Sequence, residues 1–339
     1  MKLFYYKGNN FGDKLNPLIW NAMVPGLIDE DETKILVGIG TLINSNVPAQ
    51  PQKLVFGSGA GYMSPATIDD KWKFYCVRGP RTADVLGLDR QLAITDPALL
   101  LNQIYTSPVT PSGEVCFMPH HVSADYADWK GICANAGITY LDPAGDTDML
   151  IEKIRGAKLV IAEAMHAAIV ADAFQVPWIP VQCYDHILGF KWQDWCDSME
   201  LPYRPETIPS LWDADRRLTP REKTKTWVKR GLRGAGIWSN QWTPPLPAPN
   251  RRRLEDKVVL QLQSLAAGSL ACLSNEKTQM LASERLMEQL ARLARDCANG
   301  AISVRAPRAS LGTTGSSAIH GRPALRSWEA DRQPSVVGI

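Results

Sequence analysis

The sequence predicts an α/β protein with two Rossmann-like domains that face a cleft. Short apolar runs alternate with helical patterns over residues 1–210, which is typical of parallel sheets covered by helices. Residues 105–113 interrupt this alternation with two prolines, one glycine and four hydroxyl residues, and therefore predict a linker. We expect an N-terminal domain over residues 1–105 and a C-terminal domain over residues 112–210.

Apolar runs predict the strands of both domains. In the first domain they are Lys2–Tyr6, Lys34–Ile39, Lys53–Phe56, Lys73–Val77 and Leu92–Ile94. In the second they are Val115–Met118, Ile138–Leu141, Lys158–Ile161 and Trp178–Val181. The helical patterns between them are Lys14–Met23, Pro80–Leu86, Ala124–Ala136, Asp146–Ile154 and Ala167–Phe174.

The character of the chain changes after residue 210. Residues 211–298 predict a basic, helical extension, and residues 299–339 a disordered tail rich in Gly, Ser, Arg and Pro. Residues 211–253 hold eleven Lys and Arg against three Asp and Glu, so this segment carries +8 while the rest of the chain carries −6. Basic residues interleaved with tryptophans suit an anionic membrane surface or another polyanion as partner of residues 216–253, but a solvated helix face is the more common reason for such a pattern.

Composition narrows the class of protein. Apolar residues make up 45% of the 339 residues, and the longest run without a charged residue, residues 35–52, is interrupted by polar residues and prolines. The N-terminus lacks the apolar core of a signal peptide, so we expect a cytoplasmic protein, peripheral to the membrane if the basic segment binds lipid. Seven cysteines without a CxxC pair fit reduced thiols better than disulfides or zinc. We expect no cofactor and no nucleic-acid partner.

Small and polar residues follow the strands of the first domain. Asn10, Gly12 and Asp13 come directly after the first strand, where the backbone can approach a ligand and a helix begins. Two further Gly-containing loops follow the next strands and predict a cleft floor. Arg78 and Arg81 flank the start of Pro80–Leu86, and arginine binds carboxylate or phosphate through paired hydrogen bonds. Each arginine fits a surface ion pair equally well.

Histidines follow three of the four strands of the second domain. They are His121 after Met118–Pro119–His120, His166 after Glu163, and His186 after Tyr184. A single histidine at a strand end is more often a buried structural residue, but three at one sheet edge favour acid–base or anion-binding chemistry. Metal binding is the weaker interpretation, because neither HxH nor HExxH occurs. Asp96, which ends another strand, orients an arginine or initiates a turn.

These segments together resemble the polysaccharide pyruvyl transferase family. The matching pieces run in order across residues 3–210: Asn10–Pro17, Val77–Thr82, Thr95–Ala98, Pro119–His121 and Glu163–Ala167. The segment Lys191–Cys196 is similar to the exopolysaccharide branch, of the succinoglycan type. The resemblance implies a glycosyltransferase-B-like fold and transfer of pyruvate from phosphoenolpyruvate to a sugar, as a cyclic ketal. It implies a lipid-linked oligosaccharide as acceptor, at the cytoplasmic membrane face.

The resemblance also implies roles for the candidate residues. His166 is the expected acid–base residue at the donor, His121 its partner, and Asp13 the base for the acceptor hydroxyl. Many family members carry Arg where Ala164 stands, so other cations must hold the donor anion. The residues expected to contact substrate are Arg78, Arg81, His186, Lys191, Asn10, Gly12 and Glu163.

Two other functions fit the sequence. A nucleotide-sugar glycosyltransferase of the same two-domain type would use the same cleft, with Glu163 holding a ribose. An inactive assembly component on the membrane would depend on the basic segment and would not need His166. Phosphoenolpyruvate binding distinguishes the first alternative, and substitution of His166 the second.

Overall fold

Two parallel β-sheets form the framework of the protein, as the alternation of strands and helices predicted. The computed structural model describes residues 1–62, 64–212, 219–235, 237 and 250–299. The first sheet has the order β1–β2–β3–β4, with strands at Lys2–Phe4, Lys34–Val37, Gln52–Phe56 and Trp72–Cys76. The second has the order β6–β5–β7–β8–β9, with β5 to β9 at Val115–Met118, Thr139–Tyr140, Leu159–Ala162, Trp178–Gln182 and Glu206–Thr207. Every strand pair is parallel, so all carboxyl ends in a sheet lie at one edge.

Ten α-helices lie within the described residues. In chain order α1 to α7 are Phe11–Met23, Pro80–Leu86, Leu101–Ile104, Trp129–Ala136, Thr147–Gly156, Met165–Ala173 and Gly189–Ser198. They are followed by α8, α9 and α10 at Pro220–Gly234, Arg251–Ala267 and Glu276–Ala298. The bounds of α2 agree with the sequence because Pro80 opens the helix and Gly87, at φ 64°, ends it in the left-handed conformation.

The two sheets share one continuous hydrophobic core. Leu36 and Phe56 of the first sheet and Met118 and Ala162 of the second belong to the same cluster of buried side chains. Helix α6 runs through this core, and its residues from Ala167 to Ala173 are buried all round. The short apolar residues of α6 allow close packing on both sides. The core thereby fixes the sheets relative to each other and positions the edge where their strands end.

The helical extension divides between the two sheets. Helix α9 packs on α4 and β7 of the second sheet, whereas α10 packs on β4 of the first. Asp172 in α6 anchors their connection, because its carboxylate accepts hydrogen bonds from Ser274 N (2.9 Å), Ser274 Oγ (2.6 Å) and Trp178 Nε1 (3.0 Å). Burial raises the pKa of this carboxyl group, and these donors oppose the shift. Residues 250–299 therefore complete the fold on both sides.

Two sequence predictions of local structure are wrong. Residues Leu92–Ile94 do not form a fifth strand: Arg90–Leu92 is a 3-10 helix, capped by the Asp89 carboxylate, and only Ala93 bridges to Val77. The predicted helix Ala124–Ala136 is divided into a 3-10 turn at Ser123–Asp125 and α4. It restarts because Asp128 caps α4 by accepting from Gly131 N at 3.0 Å.

Some predictions fall on residues outside those described. The tail predicted to be disordered lies there from residue 300 onward, as do residues 213–218, 236 and 238–249 of the basic segment. The basic helix expected near residues 218–233 is present as α8. In the part of the chain that the structure describes, no helix combines the length and the apolar character needed to cross a bilayer.

Candidate active site

His166 lies at the carboxyl edge of the second sheet, in the first turn of α6. Its imidazole packs directly against Gly12 near the start of α1: a Cβ atom on Gly12 would stand 2.0 Å from Nδ1 of His166. Any larger residue at position 12 would displace the ring. Gly12 therefore sets the close approach of α1 and α6 that brings His166 to the N-terminal end of α1.

A buried carboxylate faces the other ring nitrogen of His166. Oδ2 of Asp96 lies 3.6 Å from Nε2, and Asp96 is fully buried. Neither atom has a hydrogen-bond partner in the described part of the chain, and 3.6 Å exceeds hydrogen-bond distance. Oδ1 of Asp96 accepts from Ala98 N at 3.0 Å and caps the 3-10 helix Pro97–Leu100. Turn initiation by Asp96 is thus confirmed, but it faces a histidine instead of an arginine.

Asp13 lies one residue beyond Gly12 and forms a second carboxylate near His166. Burial raises the pKa of Asp13, while a hydrogen bond from Asn10 Nδ2 (2.6 Å) and the charges of His166 and Lys191 oppose that shift. Asn10 therefore orients one oxygen of Asp13. A carboxylate with a raised pKa is suited to accept a proton near neutral pH.

Three more histidines form what we call the histidine cluster, His120, His121 and His186. The ring centroid of His120 lies 4.3 Å from that of His121 and 5.1 Å from that of His186. Oγ of Ser123 is 3.3 Å from Nε2 of His186. The carboxyl ends of β5 and β8, the two strands that flank β7, thus bring imidazoles to one place at the same edge of the parallel sheet.

The histidine cluster is electrically neutral near pH 7. Burial lowers the pKa of His121 and of His186 to about 4, with the charge of Lys191 adding to the effect. Burial likewise lowers the pKa of His120, and the neighbouring charges of Lys191, His121 and His186 act in the same direction. Neutral imidazoles retain one donor and one acceptor nitrogen each. They can take up protons when a negative charge enters.

Lys191 connects the two groups of residues. It lies in α7 with its side chain 8% exposed, and its Nζ stands 5.6 Å from the ring centroid of Tyr62. Its charge acts on Asp13 as well as on all three members of the histidine cluster, so these groups share one cleft. Within the described residues no carboxylate lies at ion-pair distance from its ammonium group. Lys191 therefore supplies positive charge for a bound anion.

The two predicted arginines are engaged with α7. Arg78 is fully buried, donates from Nε to Asp194 Oδ2 (3.0 Å) and from Nη1 to Thr41 Oγ1 (3.0 Å), and packs flat on Gly59. Arg81 donates to Asp197 Oδ2 at 2.6 Å in a half-exposed ion pair. Both arginines join α2 to α7, the helix that carries Lys191. Contact of either with substrate stays a prediction.

Glu163 has both carboxylate oxygens occupied by backbone donors. They accept from His120 N at 3.0 Å and from Cys183 N at 2.9 Å. Burial raises the pKa of Glu163, and these hydrogen bonds oppose the rise. Glu163 therefore holds together the loops after β5 and β8 that carry the histidine cluster. Its predicted contact with substrate is untested.

Two residues of the site were underestimated from the sequence. Asp96 gains its importance only from the fold, because no local pattern relates it to His166. Asp194 caps α2 through Thr82 N (2.9 Å) and Thr82 Oγ1 (2.7 Å) while pairing with Arg78. Only its spacing of three residues from Lys191 on α7 hinted at a shared role.

The arrangement suits binding of a small anion and movement of protons. It combines one cation, three neutral imidazoles, and a histidine between two carboxylates, all at the carboxyl edge where α/β proteins bind ligands. Among the described residues, no group of three or more His, Cys, Asp or Glu is arranged to hold a metal ion.

Comparison with known proteins agrees with this chemistry. A sequence model described as polysaccharide pyruvyl transferase matches residues 33–186, which include the three histidine-bearing strand ends of β5, β7 and β8. The chain is also 35% identical over 272 residues to the succinoglycan biosynthesis protein ExoV of Rhizobium meliloti (strain 1021). That alignment covers 75% of this chain and 79% of the relative. The chain therefore belongs to the polysaccharide pyruvyl transferase family and is an enzyme of that class.

Proposed function

We propose that the protein transfers pyruvate from phosphoenolpyruvate to a sugar of a lipid-linked exopolysaccharide repeat unit, forming a cyclic ketal and releasing phosphate. Family membership and the relative's role in succinoglycan biosynthesis support the class of acceptor. One observation carries the proposal: Lys191, with no carboxylate at ion-pair distance among the described residues, faces neutral histidines on one side and a carboxylate–histidine group on the other. Such a cleft fits a small, strongly anionic donor that must also be protonated.

The donor's charges match the Lys191 side of the cleft. Phosphoenolpyruvate carries a carboxylate and a phosphate, and charge-assisted hydrogen bonds from an ammonium group bind such groups strongly. Its negative charge favours protonation of His121 and His186, whose pKa values of about 4 reflect burial beside Lys191. Lys191 and His186 then supply the positive charge that an arginine supplies in many family members, where this chain has Ala164. Arg78 and Arg81 support α7 behind them.

The reaction requires two carbon–oxygen bonds to form and one to break. Protonation of the donor's methylene carbon makes C2 electrophilic, and a sugar hydroxyl adds to C2 while losing its proton. A second hydroxyl of the same sugar then replaces phosphate at C2, which closes the ketal. One proton enters the methyl group, two leave the hydroxyls, and the balance goes to the departing phosphate. The step needs an acid and a base but neither oxidant nor reductant.

The residues around His166 supply these proton transfers. His166 protonates the methylene carbon and His121, at the donor, assists phosphate departure as its partner. Asp13, held by Asn10, accepts the proton of the attacking hydroxyl. Gly12 allows the imidazole to take this position, since it presents no side chain there. General acid–base catalysis of this kind contributes about 10²–10⁴-fold to rate.

Two assays with the full chain test the proposal. Calorimetric titration with phosphoenolpyruvate and with nucleotide sugars compares the possible donors. Phosphate release is then measured with and without lipid-linked oligosaccharide from the producing cell. We expect donor binding, acceptor-dependent release and a ketal in the product. Binding of nucleotide sugars instead would establish a glycosyltransferase, and binding of neither donor would favour an inactive assembly component.

A further inference from the structure

The basic helix α8 presents a surface that the cleft chemistry does not use. Between Pro220 and Gly234 it carries six Lys and Arg against one Glu. Two apolar residues of α8 are not packed in the core: Trp227 is 74% exposed and Val228 is 45% exposed. Trp227 is the most exposed of the large apolar side chains in the described part of the chain. Cations around an exposed tryptophan are typical of an interface with lipid.

A chain of ring contacts relates α8 to the cleft. The guanidinium of Arg230 lies 5.9 Å from the ring centroid of Trp212, which is 4.6 Å from that of Tyr126. The ring of Tyr126 lies 5.9 Å from that of His186 in the histidine cluster. Trp212 also lines a small cavity with Arg251 at the start of α9. The basic surface thus adjoins the side of the cleft that carries the histidine cluster.

We propose that α8, together with the N-terminal end of α9, binds the surface of an anionic lipid bilayer. Each cation near such a surface contributes about 1 kcal/mol, and tryptophan favours the headgroup region. Arg252 and Arg253 are exposed and extend the cationic surface onto α9. An anionic bilayer accommodates the cations of α8 and α9 together with the exposed apolar residues Trp227 and Val228. Resting on the proposed function, this contact would hold the cleft near a lipid-linked acceptor.

Vesicle flotation with the full chain tests the membrane contact without donor or acceptor, so its failure is separate from failure of the proposed function. We expect binding to vesicles of phosphatidylcholine and phosphatidylglycerol in equal parts, and weak binding to phosphatidylcholine alone. Reversing Lys223, Lys225 and Lys229 to Glu should weaken binding by about 10²-fold or more, given about 1 kcal/mol for each cation. Trp227→Ser should weaken it several-fold.

Matched variants outside α8 and α9 keep the test specific. Reversing the exposed lysines Lys153, Lys158 and Lys277, or replacing the 62% exposed Met149 by Ser, should leave vesicle binding unchanged. Equal loss from both triple variants would overturn the assignment to α8. So would equal binding to neutral and anionic vesicles, no binding to either, or tighter binding to a single-stranded oligonucleotide than to anionic vesicles.

A separate observation, the facing pair of Asp96 and His166, carries a second inference. Their facing atoms Oδ2 and Nε2 are buried, 3.6 Å apart, and otherwise unpartnered. The other ring nitrogen, Nδ1, faces Gly12 next to Asp13. We infer that Asp96 is a positioning residue that keeps the proton of neutral His166 on Nε2 and leaves Nδ1 to exchange protons with substrate. This role rests on the proposed function.

The charged groups around the pair are few. Asp13 faces it from α1, and Lys191 of α7 acts on Asp13. Cys76 of β4 lies close enough to feel the charge of Asp96, and burial raises the pKa of that thiol. These groups stay in place in a substitution of Asp96, so a change in the pH profile reports on the facing pair itself.

Asp96→Asn tests the inference because it retains the cap and reverses the polarity toward Nε2. The amide oxygen can still accept from Ala98 N, while the amide nitrogen now donates toward the imidazole and favours the wrong tautomer. We expect kcat to fall by about 10²–10⁴-fold with an unchanged KM for phosphoenolpyruvate. The basic limb of the kcat profile, on which His166 loses the proton that it donates, should move to lower pH, because the loss of a negative charge disfavours the imidazolium.

Asp89→Asn is the matched control, since Asp89 caps the neighbouring 3-10 helix through Gln91 N at 2.8 Å and has no histidine beside it. Its kinetics should stay at the wild-type level. Nitrogen-15 NMR of wild-type His166 gives a readout independent of turnover and of the folding of any variant. A neutral imidazole protonated on Nε2 supports the inference. Protonation on Nδ1, or a kcat and pH profile of Asp96→Asn equal to those of Asp89→Asn, would overturn it.

Discussion

His166 and the histidine cluster lie in one cleft, yet their electrostatic surroundings are opposite. His166 stands between the carboxyl groups of Asp96 and Asp13. His121 and His186 face Lys191, and burial beside that charge lowers their pKa values to about 4. The partners of an imidazole therefore determine its chemistry. Negative neighbours favour a proton carrier, whereas burial beside a cation favours a neutral group that responds to an incoming anion.

The supporting residues differ in the same way. Next to His166, a glycine permits close approach, because Gly12 has no side chain to keep the backbone of α1 away from the ring. Around the histidine cluster, a buried carboxylate provides rigidity, because Glu163 ties the two loops together through their backbone. A proton carrier must reach reacting atoms, whereas an anion site needs fixed donors. The cleft therefore has a reacting side and a holding side.

Substitutions on the reacting side should have the largest effect. His166→Ala and Asp13→Asn should each lower kcat by about 10²–10⁴-fold, because each removes a proton-transfer group. Affinity for phosphoenolpyruvate should change only a few-fold, since Lys191 and the histidine cluster remain. Steady-state kinetics and calorimetry on the same preparations check this. Loss of donor affinity with kcat intact would reverse the assignment of the two sides.

Lys191→Met should act mainly on the holding side. Loss of the ammonium group should weaken phosphoenolpyruvate binding by about 10–100-fold, the usual range for a hydrogen bond to a charged group. Lys53→Met is a matched control, because Lys53 is also buried, with Nζ 5.6 Å from the Trp72 ring centroid, but lies away from the cleft. Equal donor affinity in the two variants would show that Lys191 has no part in donor binding.

Donor binding should be accompanied by proton uptake. In the free protein, His121 and His186 are neutral at pH 7 because their pKa values are about 4, and an anion beside them raises those values. The complex then holds more protons than the free protein, so linkage makes binding tighter as pH falls toward 6. Calorimetry in buffers of different ionisation enthalpy measures the uptake. A double His121→Asn, His186→Asn variant should lose it; unchanged uptake in that variant would contradict the neutral-cluster account.

The smallest effect is expected at Arg81. Because its half-exposed ion pair with Asp197 is worth about 0–1 kcal/mol, Arg81→Ala and Asp197→Ala should lower stability slightly and equally. If Arg81 only joins α2 to α7, both variants keep a donor KM near that of the wild type. A KM raised by Arg81→Ala alone would instead give Arg81 the predicted contact with substrate. Thermal melting and donor titrations of both variants make the distinction.

Strand ends and helix bounds were largely predictable, because they depend on local sequence pattern. Strand ends carrying His121, His166 and His186 were predictable, because parallel strands place their carboxyl ends at one edge. Helix α2 was predictable to the residue, since its proline and glycine signals are local. The strand expected at Leu92–Ile94 failed because an Asp89 cap, a single side-chain hydrogen bond, outweighed three apolar residues.

Contacts between distant segments were not predictable in this way. Asp96 and His166 are 70 residues apart in sequence, and only the packing of α6 against the 3-10 helix Pro97–Leu100 makes them neighbours. Likewise, Arg78 looked like an anion ligand because its residue type suits one, yet Asp194 on α7 occupies its Nε. Residue type indicates what a side chain is able to bind, whereas the fold decides which partner reaches it.

Product analysis after reaction in D₂O follows the proposed pyruvyl transfer itself. If the cleft protonates phosphoenolpyruvate at its methylene carbon and joins C2 to a sugar, the ketal methyl group should carry one solvent deuterium. One phosphate should be released for each ketal formed, and His166→Ala should form the same product far more slowly. Three results would contradict this mechanism: phosphate release without a ketal, a product without solvent deuterium, or wild-type turnover by His166→Ala.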